Sequence, residues 1–281
     1  SMYEEIETYF QNIKDFKVAY IGEDEPTGNY LEFYKMLGIG EEQLIHIKKP
    51  ARFQKVFVPE AGFRPCIWYT EEYQRMFDQM VESVLKDKDL KEKFKDIKKI
   101  YFSRRNFGKA AATEFGEEYI EQCFNQNGYE SLAPETLTLR EQIYVWNHAE
   151  AIACMNGTIP LNVVFCKNEK LKLTILNKMS IYHKNPYIYL YIRNIQAEFI
   201  DIYKEPLKGY PKSLGEGPYL IKTGKEFFDY CQREKFEIPY TGMKLKFYDL
   251  KQEIRYYLCV IGIGNKIRRV GLYIKRKMLR R

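Results

Sequence analysis

The apolar residues of this chain fall into short runs that alternate with segments of helical spacing. In the first part, apolar runs at residues 16–22 and 54–58 predict strands. Helical spacing at 29–37 and 70–85 predicts a helix after each of them. This β-α-β-α order predicts an N-terminal Rossmann-like domain over residues 1–95.

A charged stretch at residues 86–99 is interpreted as a solvated helix end and a linker, after which the alternation starts again. Thr138 with Glu141 three residues later is typical of a helix capping box. Alternating strands and helices predict a second parallel, doubly wound sheet, so the fold class is α/β. The strands are predicted at 99–102, 129–133, 151–155 and 171–176, and the helices at 117–127, 138–148 and from 160 to 165.

The last third of the chain has a weaker pattern. An aromatic, strand-like run lies at 187–192, a helix is predicted at 224–234, and a helical region follows. We therefore predict a C-terminal domain over residues 96–240 and a helical region with a basic tail over residues 241–281.

Composition restricts the class of protein. With 45% hydrophobic and 30% charged residues, the chain is typical of a globular protein. Its longest apolar run, 256–263, is shorter than the roughly 20 residues that span a bilayer, and its polar, acidic start predicts no signal peptide. Six scattered cysteines without a CxxC pair favour the cytoplasm, and three histidines argue against structural zinc.

The net charge of +7 is concentrated at the end of the chain. Residues 266–281 contain eight Lys or Arg and no acid, which leaves the rest nearly neutral and argues against a nucleic-acid partner. The tail also places Ile267, Val270 and Ile274 on one helical stripe. Two interpretations stay open: a basic amphipathic helix on anionic lipid at the inner face of the plasma membrane, or a helix packed on its own protein.

Two polar segments follow predicted strands. Ser103, Arg104, Arg105 and Asn106 come directly after the run at 99–102, and a polar turn from Asn156 follows the run at 151–155. In an open α/β sheet, ligands bind outside the carboxyl ends of the strands. A guanidinium group can bind two phosphate oxygens at once, in a bidentate manner. This edge is therefore predicted to hold a diphosphate and so a nucleotide-linked substrate.

The order of these motifs resembles glycosyltransferase family 61, which occurs in bacterial capsular polysaccharide loci and among eukaryotic sugar transferases. The likeness covers roughly residues 37–177. In two places the chain departs from the family pattern, because Asn156 replaces a histidine and Thr113 replaces an asparagine. The corresponding residues are Ser103-Arg104-Arg105, Thr113-Glu114, Gly128-Tyr129, Glu141-Gln142 and Asn156-Gly157-Thr158 followed by Asn162.

The resemblance implies a GT-B type fold, in which two Rossmann-like domains face a cleft and the C-terminal one holds the nucleotide sugar. It also implies transfer with inversion at the anomeric carbon, without a cofactor or a required metal. Asp87-Lys88-Asp89 matches a metal-binding Asp-x-Asp pattern, but it lies within a charge run and is interpreted as a solvated surface. The expected partners are a nucleotide-sugar donor and a glycan acceptor, either free or lipid-linked.

The resemblance also suggests roles for the site residues. Arg104 and Arg105 are expected to bind the diphosphate, although neighbours on an ideal strand point to opposite faces. Gly157, Thr158 and Asn162 are expected to line an anion-binding turn with Asn156. Glu141 is either the capping-box acid or a contact for the ribose or base of the donor.

An inverting transferase needs a base for the acceptor hydroxyl. Glu60, after the predicted strand at 54–58, is the first candidate for this base, and His148 and Glu114 are ranked below it. Two other functions stay open. The loss of the histidine at Asn156 suggests an inactive relative that binds only a sugar nucleotide or a partner transferase, and residues 18–22 suggest a Rossmann-type methyltransferase.

Overall fold

The computed structural model describes residues 16–181, 184–204 and 217–261. The strands are β1 (Val18–Tyr20), β2 (Leu44–His46), β3 (Phe63–Arg64), β4 (Trp68–Tyr69), β5 (Lys99–Phe102), β6 (Glu114–Phe115), β7 (Glu130–Leu132), β8 (Ala151–Met155), β9 (Lys172–Asn177), β10 (Ala197–Asp201) and β11 (Tyr219–Leu220). The helices are α1 (Gly28–Met36), α2 (Glu71–Leu85), α3 (Lys88–Lys93), α4 (Gly108–Thr113), α5 (Glu117–Gln126), α6 (Leu139–His148), α7 (Asn185–Arg193), α8 (Lys225–Arg233) and α9 (Gly242–Val260). Single-turn 3-10 segments occupy Glu41–Gln43 and Pro134–Thr136, and a longer one occupies Ile159–Phe165.

The main sheet contains five parallel strands within the described residues, in the order β10-β9-β8-β5-β7. The first of these strands along the chain, β5, therefore lies between the second, β7, and the third, β8. This is the flavodoxin-like order of doubly wound folds, whose ligands bind where the strand order reverses. The reversal lies between β5 and β8, where Phe102 is in register with Cys154.

The sheet is covered on both faces, which explains why its central strands are continuously apolar. Neighbouring residues of β5 show this, because Phe102 packs into one core cluster and Tyr101 into the other. The first cluster includes α2, α6, the 3-10 segment Ile159–Phe165 and α7. The second includes α5 and α8, with α9 packed against it.

The region before α2 is built differently. β1 and β2 form a parallel pair, and β3 and β4 an antiparallel pair. The predicted strand at 54–58 is wrong, since residues 51–62 contain no helix or strand. Val56 and Val58 are exposed there, because no neighbouring strand pairs with the run and Pro59 ends it.

Among the described residues, the five-stranded sheet is the only one with more than two strands. The α/β class is thus confirmed, whereas the GT-B arrangement stays a prediction. Helices α1 and α2 pack on α6, so they rest on the core of the main sheet.

Two further predictions need correction. The strand-like run at 187–192 lies in helix α7, which buries Pro186, Leu190 and Arg193 on one face and exposes Tyr187 and Tyr191. The spacing of those buried residues is helical, and the aromatic residues obscured it. The charged stretch at 86–99 contains helix α3, and its residues Leu90 and Phe94 are buried.

Candidate active site

The carboxyl edge of the sheet brings together polar residues that follow different strands. Ser103 and Arg104 follow β5, Asn156 follows β8, and Lys178 follows β9. Three of them are almost fully buried, with 5% of Ser103, 2% of Asn156 and 3% of Lys178 exposed. The two predicted polar segments therefore meet at the point where the strand order reverses, which is where such sheets bind ligands.

Arg104 and Lys178 share one buried carboxylate. The Arg104 Nε and Nη2 atoms each donate to Glu114 at 3.2 Å, and Lys178 Nζ donates to Glu114 Oε1 at 2.6 Å. The side chains of Glu114 and Lys178 are 3% exposed. Strand β6, which begins at Glu114, is held in place by β11. Two cations therefore meet at one carboxylate in a region of low dielectric.

Glu117, at the start of α5, is a second buried carboxyl group beside Arg104. Its Oε1 accepts hydrogen bonds from the backbone N–H of Arg104 at 2.9 Å and from the Tyr101 hydroxyl at 3.2 Å. Burial raises the pKa of Glu117 to about 7, so its carboxyl is only partly ionised near neutral pH. Burial also lowers the pKa of Lys178, and the nearby Glu114 opposes this shift.

Arg105 is directed away from Arg104. Its Nη1 lies 2.7 Å from Glu121, and its Nη2 lies 3.7 Å from Glu118. The hydrogen bond to Glu121 raises the pKa of the Arg105 guanidinium. Asn106 is exposed in the turn that follows. The two guanidinium groups therefore contact different carboxylates, and Arg104 is the one that lies in the buried cluster.

Asn156 belongs to a chain of hydrogen bonds across three strand ends. Its Nδ2 donates to Asn177 Oδ1 at 2.8 Å, and Asn177 Nδ2 donates to Asp201 Oδ1 at 2.8 Å. Because an ionised carboxylate can only accept, Asp201 fixes the orientation of both amides. Asn156 Oδ1 is then left buried without a hydrogen-bond partner among the described residues. An N–H or O–H group of a ligand would satisfy it.

The turn after Asn156 contains the other predicted binding residues. Gly157 is half-buried, and apart from its two chain neighbours no described residue has an atom within 4 Å of the place where a Cβ would stand. Thr158 is exposed beside it. Asn162 instead donates to Gln142 Oε1 at 2.8 Å, and so ties the turn to helix α6. Gly157 and Thr158 border the candidate site, whereas Asn162 holds the turn in place.

Glu141 forms the predicted capping box at the start of α6, with the N–H of Thr138 donating to its Oε2 at 2.8 Å. Lys93 pairs with the same carboxylate. Burial acts to raise the pKa of Glu141, but the bonds from Lys93 and Thr138 keep it below its ordinary value. These contacts account for Glu141 as a capping residue, and a donor contact stays a prediction.

The three base candidates lie in different places. Glu60 is exposed on the irregular segment 51–62. Glu114 is bound to both cations of the buried cluster. His148, at the end of α6, lies near the start of β5, where its Nε2 is 3.1 Å from Lys98 Nζ. Because α6 runs back along the sheet, His148 is at the amino edge, opposite Arg104.

Lys178, Asn177 and Glu117 were not predicted as site residues. A signal for the first two was present, since both come at the end of the predicted strand at 171–176, as Arg104 does for 99–102. Glu117 gave no such signal, because a glutamate in the first turn of a helix is usually a favourable surface residue.

The sequence model of the family described as Glycosyltransferase 61 matches residues 30–173, just over half of the chain. The matched segment includes β5, Arg104, Glu114, β8 and Asn156. The chain belongs to glycosyltransferase family 61. It is therefore a glycosyltransferase, with a donor and an acceptor as substrates. No curated protein matches the chain.

This family 61 enzyme uses Asp87 of its Asp-x-Asp pattern as the N-cap of α3. The Asp87 carboxylate accepts the N–H groups of Asp89 and Leu90 and pairs with Arg140 at 3.0 Å. In the described parts of the chain, no three His, Cys, Asp or Glu side chains are grouped as metal ligands. No helix in those parts is long and apolar enough to cross a bilayer.

Proposed function

We propose that this enzyme transfers a sugar from a nucleoside diphosphate sugar to a growing bacterial polysaccharide or a lipid-linked glycan, with inversion at the anomeric carbon. The supporting observation is the pair of cations, Arg104 and the buried Lys178, that meet at the buried carboxylate of Glu114. It lies where the strand order reverses, next to the turn at Asn156. Family membership favours this hypothesis over the methyltransferase suggested by residues 18–22.

In the proposed reaction, the acceptor hydroxyl attacks the anomeric carbon from the face opposite the diphosphate. The bond from that carbon to the phosphate oxygen breaks, and its electron pair stays on the diphosphate. Arg104 and Lys178 would stabilise the negative charge that develops there, as fixed donors do in a region shielded from water. This mechanism uses neither a metal nor a cofactor.

Asn156 supports an active site rather than an inactive one. A neutral histidine donates from one ring nitrogen and accepts at the other. Asn156 has the same polarity, since its Nδ2 donates to Asn177 and its Oδ1 stays available as an acceptor. The replacement of the family histidine therefore removes a titratable group but keeps a donor and an acceptor. We propose that Oδ1 accepts a hydroxyl of the donor substrate.

The acceptor would approach from the side of the N-terminal region. We propose residues 1–95 as the acceptor-side part, residues 96–240 as the donor-binding part and residues 241–281 as a helical region, in a GT-B type arrangement. Glu60 is proposed as the base, because its exposed position on segment 51–62 leaves it accessible to an acceptor. The proposed setting is cytoplasmic, and the basic residues 266–281, outside the described residues, would contact anionic membrane.

The test is thermal unfolding of the enzyme with a panel of nucleoside diphosphates and nucleotide sugars. A ligand at 100 times its dissociation constant should add about 2.7 kcal/mol to the free energy of unfolding. Arg104→Ala and Lys178→Met should each abolish the shift. Arg75→Ala is the matched control, because Arg75 forms an exposed ion pair with Glu72 on α2.

The outcomes separate the alternatives. A shift with one nucleoside diphosphate, together with sugar transfer to an acceptor, supports the proposal and names the base of the donor. A shift without transfer supports the inactive relative, and Asn156→His should then restore turnover. No shift with any nucleotide contradicts the proposed donor site.

Glu60→Gln tests the proposed base separately. Loss of a general base should lower turnover by about 100-fold or more. The nucleotide-induced shift should stay unchanged, because Glu60 is not in the buried cluster. Glu23→Gln, another exposed acid of the N-terminal region, is the control. Normal turnover of Glu60→Gln would exclude Glu60 as the base.

A further inference from the structure

Helix α9 carries an exposed row of large apolar side chains, here called the α9 stripe. Its members follow one another at intervals of four and three residues, so they lie on one face of the helix. Each is between 39% and 66% exposed. The α9 stripe consists of Met243, Phe247, Leu250, Ile254 and Tyr257 of the helix and of Ile261 directly after it.

The opposite face of α9 is attached to the fold. Tyr256 is fully buried beside Phe115, and the hydroxyl of Tyr248 accepts the N–H of Tyr119 at 3.2 Å. The α9 stripe therefore points away from the core, and no other described residue covers it. Isolated apolar residues on a surface need no explanation, but a contiguous row of this kind marks an interaction site.

The charges beside the α9 stripe are mainly positive. Lys244 and Lys251 lie on one side of it and Lys246 on the other, and all three are exposed. The carboxylate of Glu253 is bound to Lys204 at 3.0 Å and to Lys222 at 2.9 Å. An apolar face with lysines on both sides is complementary to an anionic lipid surface.

A polar groove of about 460 Å³ adjoins this face, between α5 and α9. Lys244 and Lys251 line it together with Tyr240, Tyr248 and Gln122, and with Glu118, whose carboxylate lies 3.7 Å from Arg105. Two of the lysines beside the α9 stripe therefore also border a space that can hold a phosphate headgroup.

We propose that the α9 stripe docks on an anionic lipid bilayer, with the helix lying in the plane of the surface. The apolar side chains enter the boundary between headgroups and acyl chains, and Lys244, Lys246 and Lys251 contact lipid phosphates. This surface is separate from the basic tail at 266–281. It also does not depend on the transferase activity, because lipid binding is measured without sugar transfer.

Charge disfavours the other occupants of the α9 stripe. A second copy of the helix, paired stripe to stripe, would bring Lys244 and Lys251 near their counterparts. The tail of the same chain carries eight cations and no acid, so it would be repelled by the lysines beside the stripe. An anionic lipid surface attracts both the lysines and the tail.

The test is flotation of the full chain with vesicles of phosphatidylcholine, alone or mixed with phosphatidylglycerol. Wild-type protein should float with the anionic vesicles and less so at high salt. The variant Phe247→Ser/Ile254→Ser should bind at least about tenfold more weakly, because two large apolar side chains no longer enter the lipid. The variant Lys244→Gln/Lys246→Gln/Lys251→Gln should lose about tenfold or more.

Tyr30→Ser/Val58→Ser is the matched control, since both residues are large, apolar and exposed elsewhere, at 80% and 75%. It should float as the wild type does. Unchanged melting temperatures would show that the α9 variants are folded. Flotation of the Phe247→Ser/Ile254→Ser variant at the wild-type level would overturn the proposal and assign binding to the tail. A wild-type dimer that this variant converts to a monomer, measured by light scattering, would also overturn it, in favour of a second copy.

Discussion

At the carboxyl edge of the five-stranded sheet several polar side chains are buried, whereas the polar residues that precede β5 and β8 at the amino edge are exposed. Asn156, Asn177 and Lys178 at the carboxyl edge are 2–3% exposed. Lys98 and Glu150, which precede β5 and β8, lie in solvent. Burial of polar and charged groups costs free energy unless they are paired. At the carboxyl edge these groups are paired with one another, apart from the unpartnered Asn156 Oδ1, and this concentration of buried polar groups supports the proposal that the ligand site lies there.

Of the changes that test this difference between the two edges, Glu114→Gln is expected to lower the free energy of unfolding most. The amide cannot neutralise Arg104 and Lys178, so the free energy of unfolding should fall by about 3–5 kcal/mol. Pyrophosphate should restore part of the loss, because it supplies the missing negative charge. Urea unfolding with and without pyrophosphate measures both effects.

The control is Glu234→Gln at the amino edge, where Glu234 pairs with the half-exposed Lys172. Its loss should be about 1 kcal/mol or less. Equal losses at Glu114 and Glu234 would remove the difference between the two edges.

The next effect is the pH dependence caused by Glu117. Because its pKa is about 7 in the folded state and 4.5 ordinarily, the folded protein binds the proton more tightly between these values. Stability should therefore fall by about 3 kcal/mol as the pH rises through this window. Glu117→Gln keeps an acceptor for Arg104 and Tyr101 and should remove this fall. Urea unfolding of wild type and variant between pH 4.5 and 7 measures this difference. If the free energy of unfolding changed with pH in the same way in both proteins, Glu117 would not be the cause.

The smallest effect is expected for His148→Gln at the amino edge. This change removes a contact with Lys98 and ring stacking on Tyr144, so stability should change by about 1 kcal/mol or less. The melting shift with a nucleoside diphosphate should be unchanged. If His148→Gln lost that shift, the assignment of the site to the carboxyl edge would fail.

The sequence predicts well those parts of the fold that depend on one physical effect, such as burial of an apolar run or a local hydrogen bond. Strands 99–102 and 151–155 are confirmed to the residue, since residues 100–102 and 151–155 are continuous apolar runs that the sheet buries on both faces. The capping box at Thr138 is confirmed because it is a local interaction. The run at 54–58 failed, because a strand also needs a neighbour and a short apolar run does not show whether one exists.

Arg104 and Asn156 are expected to lie close together, because the carboxyl ends of parallel strands lie at the same edge of a sheet. The role of Lys178 does not follow, because it depends on β9 lying beside β8 and on Glu114 returning to the sheet through β6. Such pairings join distant parts of the chain and leave no spacing pattern in it. The role of Lys178 could not be predicted because the sequence does not show which strands are neighbours in the sheet.

The strand order also affects how the chain folds while it is being synthesised. β5 emerges from the ribosome before β7 and pairs with it on one side, but its other side is covered only when β8 has followed. Until then a nascent chain exposes an apolar strand edge, which promotes aggregation. Truncation before residue 151 would therefore yield an insoluble fragment that carries Arg104 but lacks Asn156 and Lys178 of the proposed donor site. The same pairing of β8 with β5 covers this edge and brings Asn156 beside Arg104.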